Sequence, residues 1–212
     1  MLLAFDTATH AVTVALHTGA PDGEVVAAAT VVDALRHGEL LAPGIRRVLG
    51  QAGCRPRDLT AIAVGVGPGP FTGLRVGIMT ARTMAAVLEI PVHGVCTLDV
   101  LAAAVADQTG GFRVATDARR KEVYWAAYDG TGRRTTAPAV DRPDEVSYEG
   151  PVAGRGALLY PDAFPHPIEP ENPAAADLAR LAAAGTVELL PPEPLYLRRP
   201  DAALPGRPKR VH

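Results

Sequence analysis

Cysteine is nearly absent from this chain. Only Cys54 and Cys96 occur in 212 residues, with no Cys-x-x-Cys pair. That spacing excludes a disulfide framework and a thiolate metal knuckle, and two reduced, buried thiols are the expectation. No apolar run reaches the ~18 residues that a spanning helix needs, so no membrane segment is expected. The opening Leu2-Leu3-Ala4-Phe5-Asp6 is too short for a signal peptide and meets an acid where one would stay apolar, which reads as cytoplasmic. Strong net charge is missing too: the formal value is −2, so no global field recruits nucleic acid or lipid. Lysine is scarce, 2 residues against 19 arginines, which reads as composition bias. The six histidines show no metal pairing: His37 is isolated, and no second His follows His93 at helical spacing. No Ser/His/Asp set is discernible, so catalysis has no strong candidate.

What is present is a mostly Ala/Val/Leu hydrophobic content of 48% and a length suited to one large domain or two small lobes. Leu2–Phe5, Ala11–Leu16 and Val25–Val32 are β-type runs with short connections, which predicts an antiparallel meander. A helix is expected from His37 to about Ala52, with Leu41, Ile45, Val48 and Ala52 on one face and Pro43 starting or kinking it. Strand Ile62–Val66, a helix from Thr72 to about Leu88, strand Val92–Val95 and a helix near Leu98–Ala106 follow, an alternation that makes neighbouring strands parallel. From Phe112 the pattern restarts. Leu3-Ala4-Phe5-Asp6 and Val12-Thr-Val-Ala15 align with Val114-Ala-Thr-Asp117 and Val123-Tyr-Trp-Ala126 at a constant offset of 111. Each copy ends a strand on Asp and turns into a second strand, a duplication signal implying two lobes across a cleft. The division falls at 1–106 and 107–212. The second half is richer in proline and loops, with a helix Ala174–Ala184, capped by Asn172 and stopped at Gly185, and a strand Val187–Leu190.

The stretch Gly67-Pro-Gly-Pro-Phe-Thr-Gly73 between strand and helix looks like a phosphate cradle, since helix N-termini present free N–H groups to anions. It has no Lys-Ser/Thr, however, and no third fingerprint glycine. Pro68 and Pro70 each delete a donor, which favours a stiff, helix-positioning turn. Along that helix Gly73, Gly77, Ala81 and Ala85 recur every four residues as a smooth ridge, suited to a close-packed neighbour inside the domain or to a partner protein. Asp6 (with Thr7) and Asp117 are the nucleotide candidates: one carboxylate per lobe could hold Mg²⁺ over phosphates, although Asp also simply caps turns. A third feature is the basic end of the chain. It carries five Lys/Arg against one acid from Tyr196 to His212, an RNA-binding candidate centred on Arg207–Arg210.

Four segments in order resemble the TsaB/YeaZ family. They are Ala4-Phe-Asp-Thr-Ala-Thr9, Gly67-Pro-Gly-Pro-Phe-Thr-Gly-Leu-Arg-Val-Gly-Ile78, Asp117-Ala-Arg-x-x-Glu-Val-Tyr-Trp-Ala126 and Pro194-Leu-Tyr-Leu-Arg198. Pro70 stands where Ser is common. The resemblance implies an α/β, two-lobed fold of the actin/sugar kinase/Hsp70-ATPase (ASKHA) type, with duplicated mixed-sheet lobes and the second lobe reduced. It also implies a non-catalytic scaffold or activator subunit in synthesis of tRNA N6-threonylcarbamoyladenosine (t6A). The implied partners are a TsaD-like transferase and a TsaE-like ATPase, with tRNA reached through the complex and a homodimer as the other association. TsaD-like paralogues carry a His-x-x-x-His metal pair where this chain has Gly94 and Leu98. No cofactor of its own and no metal is therefore expected, ATP or ADP with Mg²⁺ at a shared interface being the exception left open. The expected partner interface is Leu41, Ile45, Gly73, Arg75, Val76, Gly77, Thr80, Ala81, Met84 and Ala85. The competing class is an independent ATP-binding enzyme of the sugar-kinase type, resting on Asp6 and Asp117.

Overall fold

The computed structural model describes residues 1–106 and 110–198. The meander forms as the alternation dictates: β1 (Leu2–Asp6), β2 (Ala11–His17) and β3 (Val25–Val32) pair antiparallel. After α1 (His37–Gln51), β4 (Ala61–Gly65) returns parallel to β1. Then α2 (Phe71–Leu88) carries the chain to β5 (Val92–Val95), parallel to β4. The sheet order is β3-β2-β1-β4-β5. Helix α1 runs unbroken through Pro43, and α2 ends at Glu89 in a left-handed conformation.

The second sheet repeats this plan. Its strands are β6 (Phe112–Asp117), β7 (Val123–Tyr128), β8 (Ala139–Asp141), β9 (Val152–Ala153) and β10 (Pro167–Ile168). Their order is β8-β7-β6-β9-β10 read from one edge, with the same sequence of antiparallel and parallel pairings. The duplication is real and the second copy is reduced. Between β9 and β10 stands α4 (Arg155–Leu159), 5 residues where α2 has 18, and a short 3-10 turn at Pro143–Val146 replaces α1. The constant offset of 111 does not survive. Asp6 pairs with Thr13 and Asp117 with Val123, so the second hairpin is one residue tighter. The identities Val12/Val123 and Ala15/Ala126 are therefore not structurally equivalent.

The first core lies between the sheet and one helical layer: Leu3, Phe5, Val14, Ile62 and Val64 pack against Leu41, Ile45, Leu74 and Ile78. The other face of the same sheet is covered by α3 (Thr97–Ala103) and α5 (Ala175–Ala184), through Val100, Leu178 and Ala179 against Leu2, Ala4 and Ala63. α3 serves both lobes, since Leu98 and Leu101 pack on Phe112, Val114 and Tyr128 of the second sheet. The expected division at 106 is thus crossed. α5 belongs by sequence to the second half, but its alanine-rich face fits the first sheet, and Ala175 N–H donates to Thr13 Oγ1 at 2.9 Å. The expected strand at Val187–Leu190 is an extended segment held at one point, where Gly94 and Leu190 exchange N–H···O bonds of 2.8 Å. Among the described residues no helix is long and apolar enough to cross a membrane. The basic segment Arg207–Arg210 lies outside the described residues.

Candidate functional site

The turn after β1 is the point on which the glycine loop and α2 close. Asp6 is fully buried; its Oδ1 accepts the Ala8 N–H at 2.7 Å and its Oδ2 the Thr97 hydroxyl at 2.7 Å. Thr97 in turn accepts the Gly67 N–H at 3.2 Å, tying loop, turn and α3 together. Burial pushes the Asp6 carboxyl above its usual range, against the pull of the Thr97 and Ala8 hydrogen bonds. Gly65 makes room for it: a Cβ there would sit 1.8 Å from Asp6 Oδ2. Thr7 donates its hydroxyl to the Gly73 carbonyl at 2.7 Å. A Cβ on Gly73 would lie 2.4 Å from the Thr7 carbonyl oxygen, on Gly77 2.4 Å from Thr7 Oγ1, and on Gly69 2.2 Å from the Ala8 carbonyl oxygen.

The small-residue ridge therefore faces inward. Gly73, Gly77, Ala81 and Ala85 are buried against this chain's own first sheet, as are Leu41 and Ile45 of α1. The expectation that these six form a partner surface is corrected by their burial: Gly73 closes on the Thr7 carbonyl, Gly77 on the Thr7 side chain, and the other four pack in the first core. Of the other expected interface residues, Arg75 is exposed and Val76, Thr80 and Met84 are half-buried. The outer side of α2 instead presents Met79 and Val87, 54% and 75% exposed, with Leu35 at 91% just before α1.

Between the lobes lies a cleft of about 310 Å³, near the lower bound of the ~300–1,000 Å³ usual for ligand pockets. Thr7, Thr9, His10 and the first turn of α2 line one wall, and Asp117, Arg119, Arg155 and Glu171 the other. Asp117 ends β6, where its Oδ1 accepts the Arg119 N–H at 2.7 Å and its Oδ2 lies 3.7 Å from His10 Nε2 across the cleft. Arg155 is paired with Glu171. Burial holds the His10 imidazole below its usual range, and the Arg119 and Arg155 guanidinium groups push the same way against Asp117. Thr116 Oγ1, buried beside this space, has no hydrogen-bond partner among the described residues. The cleft suits a small polar or anionic group. Magnesium phosphate held by one carboxylate from each lobe does not fit, because Asp6 is absent from the lining and both its oxygens are used internally. The sugar-kinase reading loses its carboxylate pair with it. His10, Arg155 and Glu171 carried no sequence signal; Arg119 sat inside the Asp-Ala-Arg motif.

The β6–β7 turn has unusual backbone. Arg119, Arg120 and Lys121 have φ of 61°, 54° and 61°, a left-handed run that costs L-residues about 1–2 kcal/mol each. Opposite it the segment after α5 crosses from one lobe to the other. Leu195 N–H donates to the Val66 carbonyl at 2.9 Å, and Arg198 donates to the Ala118 carbonyl at 2.8 Å and pairs with Glu122. Tyr196 stacks on Phe71 at 5.6 Å, and its hydroxyl accepts from Arg75 Nε at 3.0 Å.

The family model for TsaD, tRNA N6-adenosine threonylcarbamoyltransferase, matches residues 31–178. The tRNA threonylcarbamoyladenosine biosynthesis protein TsaB of Escherichia coli (strain K12) is 35% identical over 232 aligned positions, covering 97% of this chain and 99% of that protein. The chain belongs to the TsaB/YeaZ family. An uncharacterized protein of Mycobacterium tuberculosis (strain ATCC 25618 / H37Rv) is 44% identical over 204 residues, covering 95% of this chain and 93% of that protein. A solved structure titled YeaZ from Pseudomonas aeruginosa superposes with a TM-score of 0.73 at 34% identity, covering 87% of this chain and 91% of that one. A second Pseudomonas aeruginosa structure, described as similar to peptidase YEAZ, reaches 0.79 at 33% identity over 93% and 99% of the two chains. Family membership ties the chain to t6A biosynthesis, and the duplicated sheets with those two neighbours bear out the two-lobed α/β fold. The TsaB/YeaZ frame also gives Gly94 and Leu98 a reason. A Cβ on Gly94 would lie 2.6 Å from Val66 Cγ1 and 2.7 Å from the Pro191 carbonyl oxygen, and Leu98 is fully buried in the core between the lobes.

Proposed function

We propose that this TsaB/YeaZ protein is a non-catalytic, partner-binding subunit of the t6A synthesis machinery, docking a TsaD-like transferase through the outer side of its α1–α2 layer. The observation that carries the reading is the uncovered apolar stripe of α2: Met79 and Val87 stand out from the surface, bordered by half-buried Val76, Thr80 and Met84. Exposed apolar side chains on one helix face, rimmed by Arg75 and Arg82, are the makings of a protein interface. The non-catalytic half of the reading is supported by the places of Gly94 and Leu98. A side chain on Gly94 would run into Val66 and the Pro191 carbonyl, and Leu98 is an apolar side chain buried in the core between the lobes, so this chain has neither of the paralogues' two ligands there. Among the described residues no group of three His, Cys, Asp or Glu side chains is arranged for a metal. A TsaE-like ATPase and tRNA are then met through the complex, and a second copy of the chain is the competing occupant of the same stripe.

The test is co-elution of the full chain with its TsaD-like partner. M79E/V87E places two carboxylates on exposed positions, so the monomer keeps its melting temperature while co-elution is lost. Undiminished co-elution overturns the proposed face.

A further inference from the structure

The basic turn between β6 and β7 and the Tyr196 crossing segment lie outside the apolar stripe of the partner face and meet its rim only at Arg75. They meet at a second cavity of about 420 Å³, lined by Phe71, Tyr124, Tyr196, Arg119, Arg120 and Arg198 among others, with no carboxylate among its lining residues. A neighbouring open groove of about 700 Å³ is lined by Arg120, Lys121 and Arg142 together with Asp144 and Asp162. The turn thus feeds three concavities: Arg119 reaches the interlobe cleft and the second cavity, Arg120 the second cavity and the groove, Lys121 the groove. All three side chains are exposed, and all three keep a left-handed backbone that glycine or asparagine would adopt more easily. Positive charge is being held at positions where it costs stability, in a protein whose net charge is −2. Beside it the Tyr196 ring is 42% exposed, backed by Phe71 and held at its hydroxyl by Arg75. Cations along a groove next to a braced aromatic ring match the chemistry of a single-stranded nucleic acid, phosphates on the cations and a base on the ring.

We propose that Arg119–Lys121 and Tyr196 form a contact site for single-stranded RNA. The choice of RNA over DNA rests on the t6A reading above; the rest stands on the geometry. Binding of a labelled single-stranded RNA oligonucleotide to the full chain, followed by anisotropy across salt concentrations, tests it. R120G/K121G removes two cations while relieving the left-handed strain. Its melting temperature should match or exceed wild type, its affinity should fall about ten-fold, and its salt slope should drop by about 1.4, at ~0.7 per phosphate contact. Y196A should weaken binding about five-fold or more with the salt slope unchanged, because stacking carries no counterion release. Wild-type affinity in a stably folded R120G/K121G overturns the proposal. So does displacement of the oligonucleotide by 5′-AMP at equal concentration, which would make this a free-nucleotide site. Co-elution of R120G/K121G with the TsaD-like partner separates the two readings: it should be intact, and its failure in wild type would strike the partner assignment alone.

Discussion

Replacing Gly77 by alanine should destabilise this protein although alanine is the better helix former. The new Cβ would lie 2.4 Å from Thr7 Oγ1, while its next contacts, Thr7 Cβ and Val64 Cγ2, are at an ordinary 3.6 Å. Helix propensity favours alanine by about 1 kcal/mol. Against that, crowding in a packed core costs about 1–3 kcal/mol, and displacing the Thr7 hydroxyl from the Gly73 carbonyl forfeits a buried hydrogen bond worth about 1 kcal/mol. The net is a loss of about 1–3 kcal/mol, or roughly 2–12 °C in melting temperature for a chain of this size. The obstruction is one atom, so removing it should reverse the sign. T7A alone loses the hydrogen bond, but in T7A/G77A the added methyl group meets only ordinary contacts and recovers the helix gain. Urea or thermal denaturation of the four proteins gives a double-mutant cycle, and a favourable coupling of about 2–4 kcal/mol is expected. Additive losses would refute the claim that Gly77 makes room for the Thr7 side chain.

Three further outcomes follow from the same geometry. The folded-state pKa of His10 lies below its unfolded value of 6.5, so its contribution is present above pH 6.5 and lost as pH falls toward the depressed value. Acidification from pH 7 should therefore cost wild type more stability than H10Q, as followed by denaturation at several pH values; equal losses would contradict it. Asp99 accepts from Tyr128 Oη at 2.7 Å and from Arg134 Nη1 at 2.8 Å, joining α3 to the second lobe. D99A strands the Tyr128 hydroxyl and leaves Arg134 only the exposed Glu188, and should cost roughly 2–4 kcal/mol, somewhat under a fully buried pair because Arg134 is partly exposed; a change below 1 kcal/mol would show that the link is dispensable. The RNA-binding loss of R120G/K121G, with melting temperature preserved or raised, is the third.

Much of the fold was legible because periodicity reports directly on burial. The meander, α2, β5 and the paired strand–Asp–strand hairpins all follow from alternation, spacing and turn residues. The direction of the α2 ridge was not legible. A period of four small residues says that some neighbour comes close, and only tertiary structure says that it is Thr7 of the same chain. Asp6 shows the same limit: an Asp at a strand end reads alike whether it faces a ligand or, as here, Ala8 and Thr97. β9 and β10, two residues each, are too short for any pattern to register, and α5 docks on a sheet some 160 residues earlier, as in the Ala175–Thr13 hydrogen bond at |i−j| = 162. The cleft residues His10, Arg155 and Glu171 come from three separate loops and helix starts that no spacing connects.

The central claim is that the outer α2 face engages a transferase needed for t6A. Its most direct test measures threonylcarbamoyladenosine in bulk tRNA after depletion of this protein, with complementation by wild type or by M79E/V87E. The modification should fall on depletion, return with wild type and stay low with M79E/V87E. Unaltered modification on depletion, or full rescue by M79E/V87E, would contradict the account.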